Sequence, residues 1–398
     1  MKLLQLNVTS NWGSTGKIAE GIGFAALNRG WENYIAYGRY INPGKSNAIR
    51  VGTQLDVYRH YAKSKFLNQE GLGSKNATKN LVSKIKEISP EIIHLHNIHD
   101  HWLNYPILFD YLNTIDAPIV WTFHDCWAFT GGCAHFTEWG CREWQQGCKN
   151  CKYIPHLFNQ IKKNFDLKES KISNVGNRLH IVSVSRWLDS LVSDSFLKYF
   201  NHGFIYNGID TDVFAPVSYT EIESSYGLKD SFVILGVSSV WPEYKGLQDF
   251  LELRKRLDSK FIIVLIGLTK KQISELPNGI IGIERTTDVK ELAEFYTRAD
   301  VVVSFSKMET FGMTLVEGQA CGTPSMAYNN AAMKEVISEK TGFSIPVGDI
   351  DAAVNYINVI QDTKPFSSDI IRAEAVKNFN AERQFNKYID LYESLLSK

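Results

Sequence analysis

Ser304-Phe305-Ser306-Lys307-Met308-Glu309-Thr310-Phe311-Gly312-Met313-Thr314-Leu315-Val316-Glu317 follows directly on an apolar run, 301–305, and leads to Gly322-Thr323-Pro324. A short run rich in Val and Phe reads as a buried strand. The Gly and Pro beyond residue 321 end a helix, which places that helix at 312–321. Glu309 then sits in the strand-to-helix turn, at the mouth of a sheet. Gly312 removes a side chain where the backbone enters the helix. The N–H groups of Phe311, Gly312, Met313 and Thr314 are placed to meet an anion, helped by the helix dipole, and a diphosphate is the natural guest. Glu317 lies about one and a half turns inside. Full helix between Glu309 and Glu317 would separate them by about 12 Å. A retaining glycosidase pair needs ~5 Å, so the two acids read as grips on the two ends of one extended ligand. Simple helix capping by Glu309 is the competing reading.

Outward from this stretch, strand and helix patterns alternate. Runs 3–8, 92–95, 119–123 and 181–184 read as strands of a first series, with helices at 16–29, 81–88 and 187–198. A second series has strands at 232–237, 261–266, 301–305 and 325–328, with helices at 246–257, 289–298 and 312–321. Two such series imply two α/β domains, each a parallel sheet with helices on both faces. Tyr206-Asn207-Gly208-Ile209-Asp210 carries an Asn-Gly turn signal and marks the boundary; residues 216–227 read as a connector. The expected division is 1–205, 206–378, and a C-terminal helix, 379–398, whose stripe of Phe385, Tyr388, Ile389, Tyr392, Leu395 and Leu396 must bury itself, with the first domain as the candidate surface.

The 398 residues are 44% hydrophobic and 22% charged, a soluble globular balance. No run of 18 apolar residues occurs, which argues against a spanning helix, and the start, Met1-Lys2-Leu3-Leu4-Gln5-Leu6-Asn7-Val8, turns polar too soon for a secretory signal. A cytoplasmic protein with reduced thiols is expected. Net charge is zero, yet residues 1–205 hold 23 Lys and Arg against 16 Asp and Glu, and the rest hold 20 against 27. The basic first half suits an anionic acceptor or peripheral contact with the inner face of a membrane, or is simply an uneven solvated surface. Basic and aromatic residues are not interleaved in a nucleic-acid pattern, so no nucleic-acid partner is expected.

Gly13-Ser14-Thr15-Gly16-Lys17 has the look of a phosphate loop, but Asn11 stands where its first Gly belongs and Ile18 where a magnesium-binding hydroxyl belongs. A glycine turn bringing N–H groups to a ligand and a plain strand-to-helix turn remain equal readings. His124-Asp125 follows run 119–123 and so lies at a sheet mouth. His94, His96, His99 and His101 cluster after run 92–95, reading as buried or acceptor-lining histidines ahead of metal ligands. Ser185-Arg186-Trp187 is a further cleft candidate. No Ser-His-Asp or Cys-His nucleophile arrangement is evident. Cys133, Cys141, Cys148 and Cys151, in a Cys-rich excursion at 126–152, have the donor set of a structural zinc, with disulfides and plain buried thiols as competing readings; Cys126 and Cys321 read as packing.

The Glu-x7-Glu spacing with Phe-Gly after the first Glu, followed by Ala320-Cys321-Gly322-Thr323-Pro324, resembles glycosyltransferase family 4. Val237-Ser238-Ser239-Val240-Trp241-Pro242-Glu243-Tyr244-Lys245-Gly246 is similar to the family's second-domain phosphate loop, and Asn207-Gly208-Ile209-Asp210 with Phe214 to its hinge. Glu291-Leu292-Ala293, Tyr296, Ala299-Asp300 and Thr341-Gly342-Phe343 also match, so the resemblance covers nearly the whole chain. It implies the GT-B architecture, two facing Rossmann-like domains with a cleft between them, and metal-independent, retaining transfer from a nucleotide sugar. It implies Glu309, His124 and Lys245 as catalytic residues. The donor-binding set is Lys245, Glu309, Phe311, Gly312, Met313, Glu317, Ser239 and Gly16; Asn7, Gly13, His96 and Asp125 fall on the acceptor side. Val240 departs from the family, many of whose members carry Arg there. The segment 124–133 resembles a subset associated with bacterial surface-polysaccharide assembly.

The resulting expectation is a UDP- or GDP-sugar donor, a glycan or lipid-diphosphate acceptor, and no catalytic cofactor. A nucleotide-sugar epimerase on the same fold and a non-catalytic sugar-nucleotide or polysaccharide-binding subunit are the rivals.

Overall fold

The computed structural model describes residues 1–149, 151 and 160–397. Residues 150 and 152, in the expected Cys-rich excursion, and residue 398, at the end of the expected tail, lie outside the described residues. Two compact units are present: Met1–Tyr206 with Glu382–Lys398, and Asn207–Ala381.

The first unit is a seven-stranded sheet of β1 (Lys2–Asn7), β2 (Glu32–Tyr37), β3 (Asn47–Arg50), β4 (Ile92–Leu95), β5 (Ile119–Phe123), β6 (Leu179–Ser183) and β7 (Asn201–Phe204). Their order is β3-β2-β1-β4-β5-β6-β7. The second is a six-stranded sheet of β8 (Phe232–Val237), β9 (Phe261–Ile266), β10 (Ile280–Ile283), β11 (Val301–Ser304), β12 (Ser325–Tyr328) and β13 (Gly342–Ile345), ordered β10-β9-β8-β11-β12-β13. Every pairing is parallel. Both are Rossmann-like. β4, β5 and β12 are buried at every residue, as strands covered on both faces must be. In each sheet the order reverses once, between β1 and β4 and between β8 and β11. Ligands of open parallel sheets bind outside the carboxyl ends of the strands at such a switch.

The C-terminal helix Ala381–Leu396 returns to the first unit. Tyr388, Ile389, Tyr392 and Leu395 join a core with Leu3, Ile18, Ile22, Trp31, Ile92 and Val120. A buried relay fixes it. Tyr392 Oη donates to His94 Nδ1 at 2.6 Å, His94 Nε2 meets Thr122 Oγ1 at 2.7 Å, and Thr122 donates to Tyr388 Oη at 3.2 Å.

Three local expectations are corrected. The helix expected at 187–198 is Arg186–Ser193 followed by a 3-10 turn, Phe196–Tyr199, because the Ser195 hydroxyl accepts from Leu197 N and starts a new turn. The connector at 216–227 contains a helix, Thr220–Tyr226, closed by Gly227 in the left-handed region. The glycine turn at 13–17 is already the first turn of helix Gly13–Asn28.

Candidate active site

At the β8/β11 switch of the second unit, two strand-to-helix turns lie side by side. The turn after β8 ends in a 3-10 turn, Glu243–Lys245, and Gly246, at φ 76°, opens helix Leu247–Arg256. Gly246 is required: a Cβ there would lie 2.4 Å from the Phe305 carbonyl oxygen. The turn after β11 is braced from three directions. Lys307 N donates to Tyr244 O at 2.7 Å, Asn330 Nδ2 donates to Lys307 O at 2.6 Å, and Ala332 N donates to Glu309 O at 3.2 Å. Phe305 beneath it packs on Phe250 and Tyr328.

This bracing brings Lys245 Nζ to 2.5 Å from Glu309 Oε1, with both side chains about a quarter exposed. Gly312, at φ 102°, begins helix Met313–Ala320, whose first turn has neither a side-chain cap nor an acidic residue. That helix end is therefore electropositive, with Glu309 and Lys245 beside it. Glu317 is half-buried and accepts from Tyr296 Oη at 2.8 Å; burial, with Glu317 alongside, drives the Tyr296 hydroxyl well above its ordinary pKa, so it stays a donor. The Phe311 ring is buried against Phe379, leaving only its backbone to serve a ligand. Met313 is half-buried, and Ser239 and Val240 are exposed on the turn after β8. A depression of about 500 Å³ lies at the opposite end of this sheet, beside Phe232 and Asp300, away from these turns.

At the β1/β4 switch of the first unit, the expected residues divide into struts and presented groups. Asn7 is fully buried; it donates to Thr9 O at 2.8 Å and accepts from Asn97 N at 3.2 Å. Asn7 therefore ties the turn after β1 to the turn after β4. Gly16 is buried because a Cβ would lie 2.6 Å from Thr9 Oγ1, and its role is to admit that turn. Gly13, at φ 65°, is exposed. His96 is buried too. Its place is to set His124. Gln5 Nε2 donates to Ala19 O and Asn33 Oδ1, so Gln5 Oε1 faces His96 Nε2 at 3.0 Å and takes its proton. His96, kept neutral by burial, then has a bare Nδ1, 3.1 Å from His124 Nε2. The proton there belongs to His124, and His124 Nδ1 is an acceptor. Burial lowers His124 to a pKa of about 4, so it stays neutral at pH 7.

Asp125 Oδ2 lies 2.8 Å from His99 Nε2. Although burial opposes charge on both, His99 draws Asp125 down to about 2, while Asp125 and Asp100 draw His99 well above its ordinary value. Asp125 is thus committed to His99. Ser185 caps helix Arg186–Ser193 and is fully buried. Sequence reasoning missed Trp12 and Tyr40, a tilted, exposed aromatic pair at 4.6 Å. The Ser10–Ile41 bridge that places them links two turns far apart in sequence.

Among the described residues, the one group of three or more His, Cys, Asp or Glu with ligand atoms all within 4.8 Å is Glu70, His99 and Asp100. No three of Cys133, Cys141, Cys148 and Cys151 meet that distance, none of the four is in a disulfide, and Cys141, Cys148 and Cys151, after burial, help push the Cys133 thiol up to about 12. Aromatic packing holds their segment: Trp144 meets Phe129 and Phe136 at 5.3 and 5.4 Å and donates to Cys141 O.

A family model described as Glycosyltransferase Family 4 matches residues 25–213, and one described as Glycosyl transferases group 1 matches residues 218–376. The chain belongs to glycosyltransferase family 4. Among similar proteins of this class is the colanic acid biosynthesis glycosyl transferase WcaC of Escherichia coli K12, 22% identical over 99% of this chain and 100% of its own. N-acetyl-alpha-D-glucosaminyl L-malate synthase of Bacillus anthracis is 26% identical over 48% of this chain and 53% of its own. In structure, sucrose-phosphate synthase from Thermosynechococcus elongatus superposes with TM-score 0.75 at 16% identity, covering 100% of this chain and 99% of that one. Anabaena HepE in complex with UDP gives 0.68 at 16% identity, covering 99% and 100%. These likenesses establish the GT-B fold of this family 4 glycosyltransferase.

Proposed function

We propose that this glycosyltransferase moves a sugar from a UDP- or GDP-sugar to a glycan or lipid-diphosphate-linked acceptor, with retention and without a metal, in surface-polysaccharide assembly. The observation that carries the reading is the Lys245–Glu309 pair beside the uncapped start of helix Met313–Ala320. An ammonium and an electropositive helix end together suit a diphosphate leaving group, whose charge grows as the sugar departs. Glu309 suits the sugar, and Glu317 a ribose diol. Neutral His124, with Nδ1 as acceptor, suits a sugar hydroxyl. The bond from the anomeric carbon to the phosphate oxygen breaks, the acceptor oxygen bonds that carbon on the same face, and the acceptor's proton passes to the departing phosphate oxygen. No protein base is needed. HepE has been solved with UDP-glucose, and WcaC is named for colanic acid biosynthesis; both support donor and setting.

The test is incubation with UDP- and GDP-sugars, with and without acceptor glycans and EDTA, following nucleoside diphosphate release and the anomeric configuration of the product. Acceptor-dependent release with retention in EDTA is expected. A new sugar isomer formed without acceptor would establish the epimerase instead, and no turnover of any donor would favour a binding subunit.

A further inference from the structure

Between β5 and helix Ile161–Ser173 the described residues form three 3-10 turns, Trp127–Phe129, Thr137–Trp139 and Glu143–Gln146, and no longer element. A connection of this length without a helix or strand of its own needs another means of holding its shape. Its cysteines follow one another as Cys133-x7-Cys141-x6-Cys148-x2-Cys151, ending in the Cys-x2-Cys pair that structural zinc sites use. Hydrogen bonds fix the backbone at three of them. Cys148 N donates to Glu143 O at 2.7 Å, Trp144 Nε1 to Cys141 O at 3.2 Å, and Thr130 Oγ1 to Cys133 O at 2.7 Å. Gly131 N donates to the Cys148 sulfur itself, at 3.2 Å. The four sulfurs act on one another. Beyond burial, Cys133 responds to Cys151, Cys148 and Cys141, and Cys148, beyond burial and the Gly131 amide, to Lys168, Cys141 and Cys151.

Lys168 is a second, separate observation. Its side chain is fully buried; Nζ donates to Trp127 O at 2.6 Å and lies 3.8 Å from the centre of the Trp127 ring. Burial opposes its charge, which Glu70, Cys148, Cys133 and Asp125 favour, and Asp125 is already committed to His99. A buried ammonium needs anionic company, and protonated thiols supply none.

We propose that Cys133, Cys141, Cys148 and Cys151 bind one zinc ion as thiolates. The ion is structural and takes no part in sugar transfer. A donor set of sulfur alone selects zinc over magnesium, calcium or manganese. Binding releases one proton from each thiol to solvent, and the metal deprotonates a coordinating thiol outright, so burial of the sulfurs is no obstacle. Four thiolates around a dication leave a net negative charge, which is the company that the Lys168 ammonium lacks. The Gly131 amide then donates to a thiolate, a stronger acceptor than a thiol. No three of the sulfurs lie within 4.8 Å of one another, whereas Zn–S bonds of ~2.3 Å hold tetrahedral sulfurs closer than that. Loading therefore draws the four together, each by rotation about its Cα–Cβ bond. The clip lies directly beyond His124 and Asp125, where Cys126 N donates to Ala134 O at 3.1 Å, so it secures the segment that leaves that turn.

The test is elemental analysis of the full chain, purified without a metal-affinity step and dialysed under reducing conditions. One zinc per chain is expected. Refolding with cobalt in place of zinc should give thiolate-to-cobalt charge-transfer absorption and the visible bands of tetrahedral cobalt. Cys141→Ser should bind zinc at least about tenfold more weakly and melt at a lower temperature. Cys141→His should recover the zinc, because an imidazole can take the place of one thiolate. Cys321→Ala, in the second unit, should keep the parent's zinc content. A chain without metal, iron in place of zinc, a disulfide joining any two of the four cysteines, or Cys141→Ser with the parent's zinc affinity would overturn the inference. The metal content and the cobalt spectrum are read on the parent chain, so they decide the matter even where a variant fails to fold. Zinc bound by a chain without any transferase activity would count against the proposed function and leave this site standing.

Discussion

Lys245 and Glu309, 64 residues apart in the chain, are ion-paired at 2.5 Å across the point where the second sheet reverses its strand order. The pair gives Glu309 two opposed effects on a nucleotide-sugar donor. In the proposed function its carboxylate serves the sugar, yet in the structure that carboxylate occupies the ammonium proposed to meet the diphosphate. Glu309→Gln is therefore expected to lower transfer by about 10²–10³-fold while tightening nucleoside diphosphate binding about two- to fivefold. Kinetics and calorimetric titration read the two separately. An active variant, or one that binds diphosphate more weakly, refutes this role.

Lys245→Ala removes the charge-assisted bond and should weaken nucleoside diphosphate binding about 10- to 100-fold. Because Val240 stands exposed where the resemblance has Arg in many members, no arginine at that position is there to compensate. Titration unchanged by the substitution would reduce Lys245 to a neutralising partner of Glu309.

The C-terminal helix offers a test independent of catalysis. Tyr392→Phe leaves the ring in place but removes the proton donated to His94 Nδ1, in a relay sealed from water. An orphaned buried acceptor costs about 1–3 kcal/mol. The urea midpoint should fall accordingly, with transfer at low temperature retained. A midpoint equal to the parent's would show that His94 finds another donor.

Legibility in the sequence followed burial. β5, β8, β9 and β12 are apolar runs covered on both faces, and their bounds can be read directly. β2, with Glu32 and Asn33, and β7, with Asn201 and His202, carry polar residues and give no such signal, although both lie in the sheet. Glu309 and Lys245 each stood out by their motifs, but their contact depends on which strands become neighbours, and periodicity is silent on that. The same limit hid His96: the string shows a histidine after a strand, while its place under His124 depends on Gln5, 91 residues earlier.

The buried histidines set a pH dependence with a definite sign. Burial lowers His60 from 6.5 to about 3 and His124 to about 4, and pushes His94 and His96 well down. Below pH 6.5 the unfolded chain takes up protons that these four refuse in the folded state, so stability must fall as pH drops from 6.5 toward 4. His99 has the opposite sense. Its raised pKa contributes stability that is complete below 6.5 and is lost only as pH rises through the raised value. Asp125, lowered from 3.8 to about 2, contributes above 3.8 and loses that contribution only as pH falls through about 2. Neither offsets the loss between 6.5 and 4. Urea midpoints should therefore decline across that window, and His60→Gln should make the decline shallower by up to about 1.4 kcal/mol per pH unit. A flat profile from pH 6.5 to 4 would mean that these histidines accept protons in the folded protein, and the proton order assigned to His96 and His124 would fall with it.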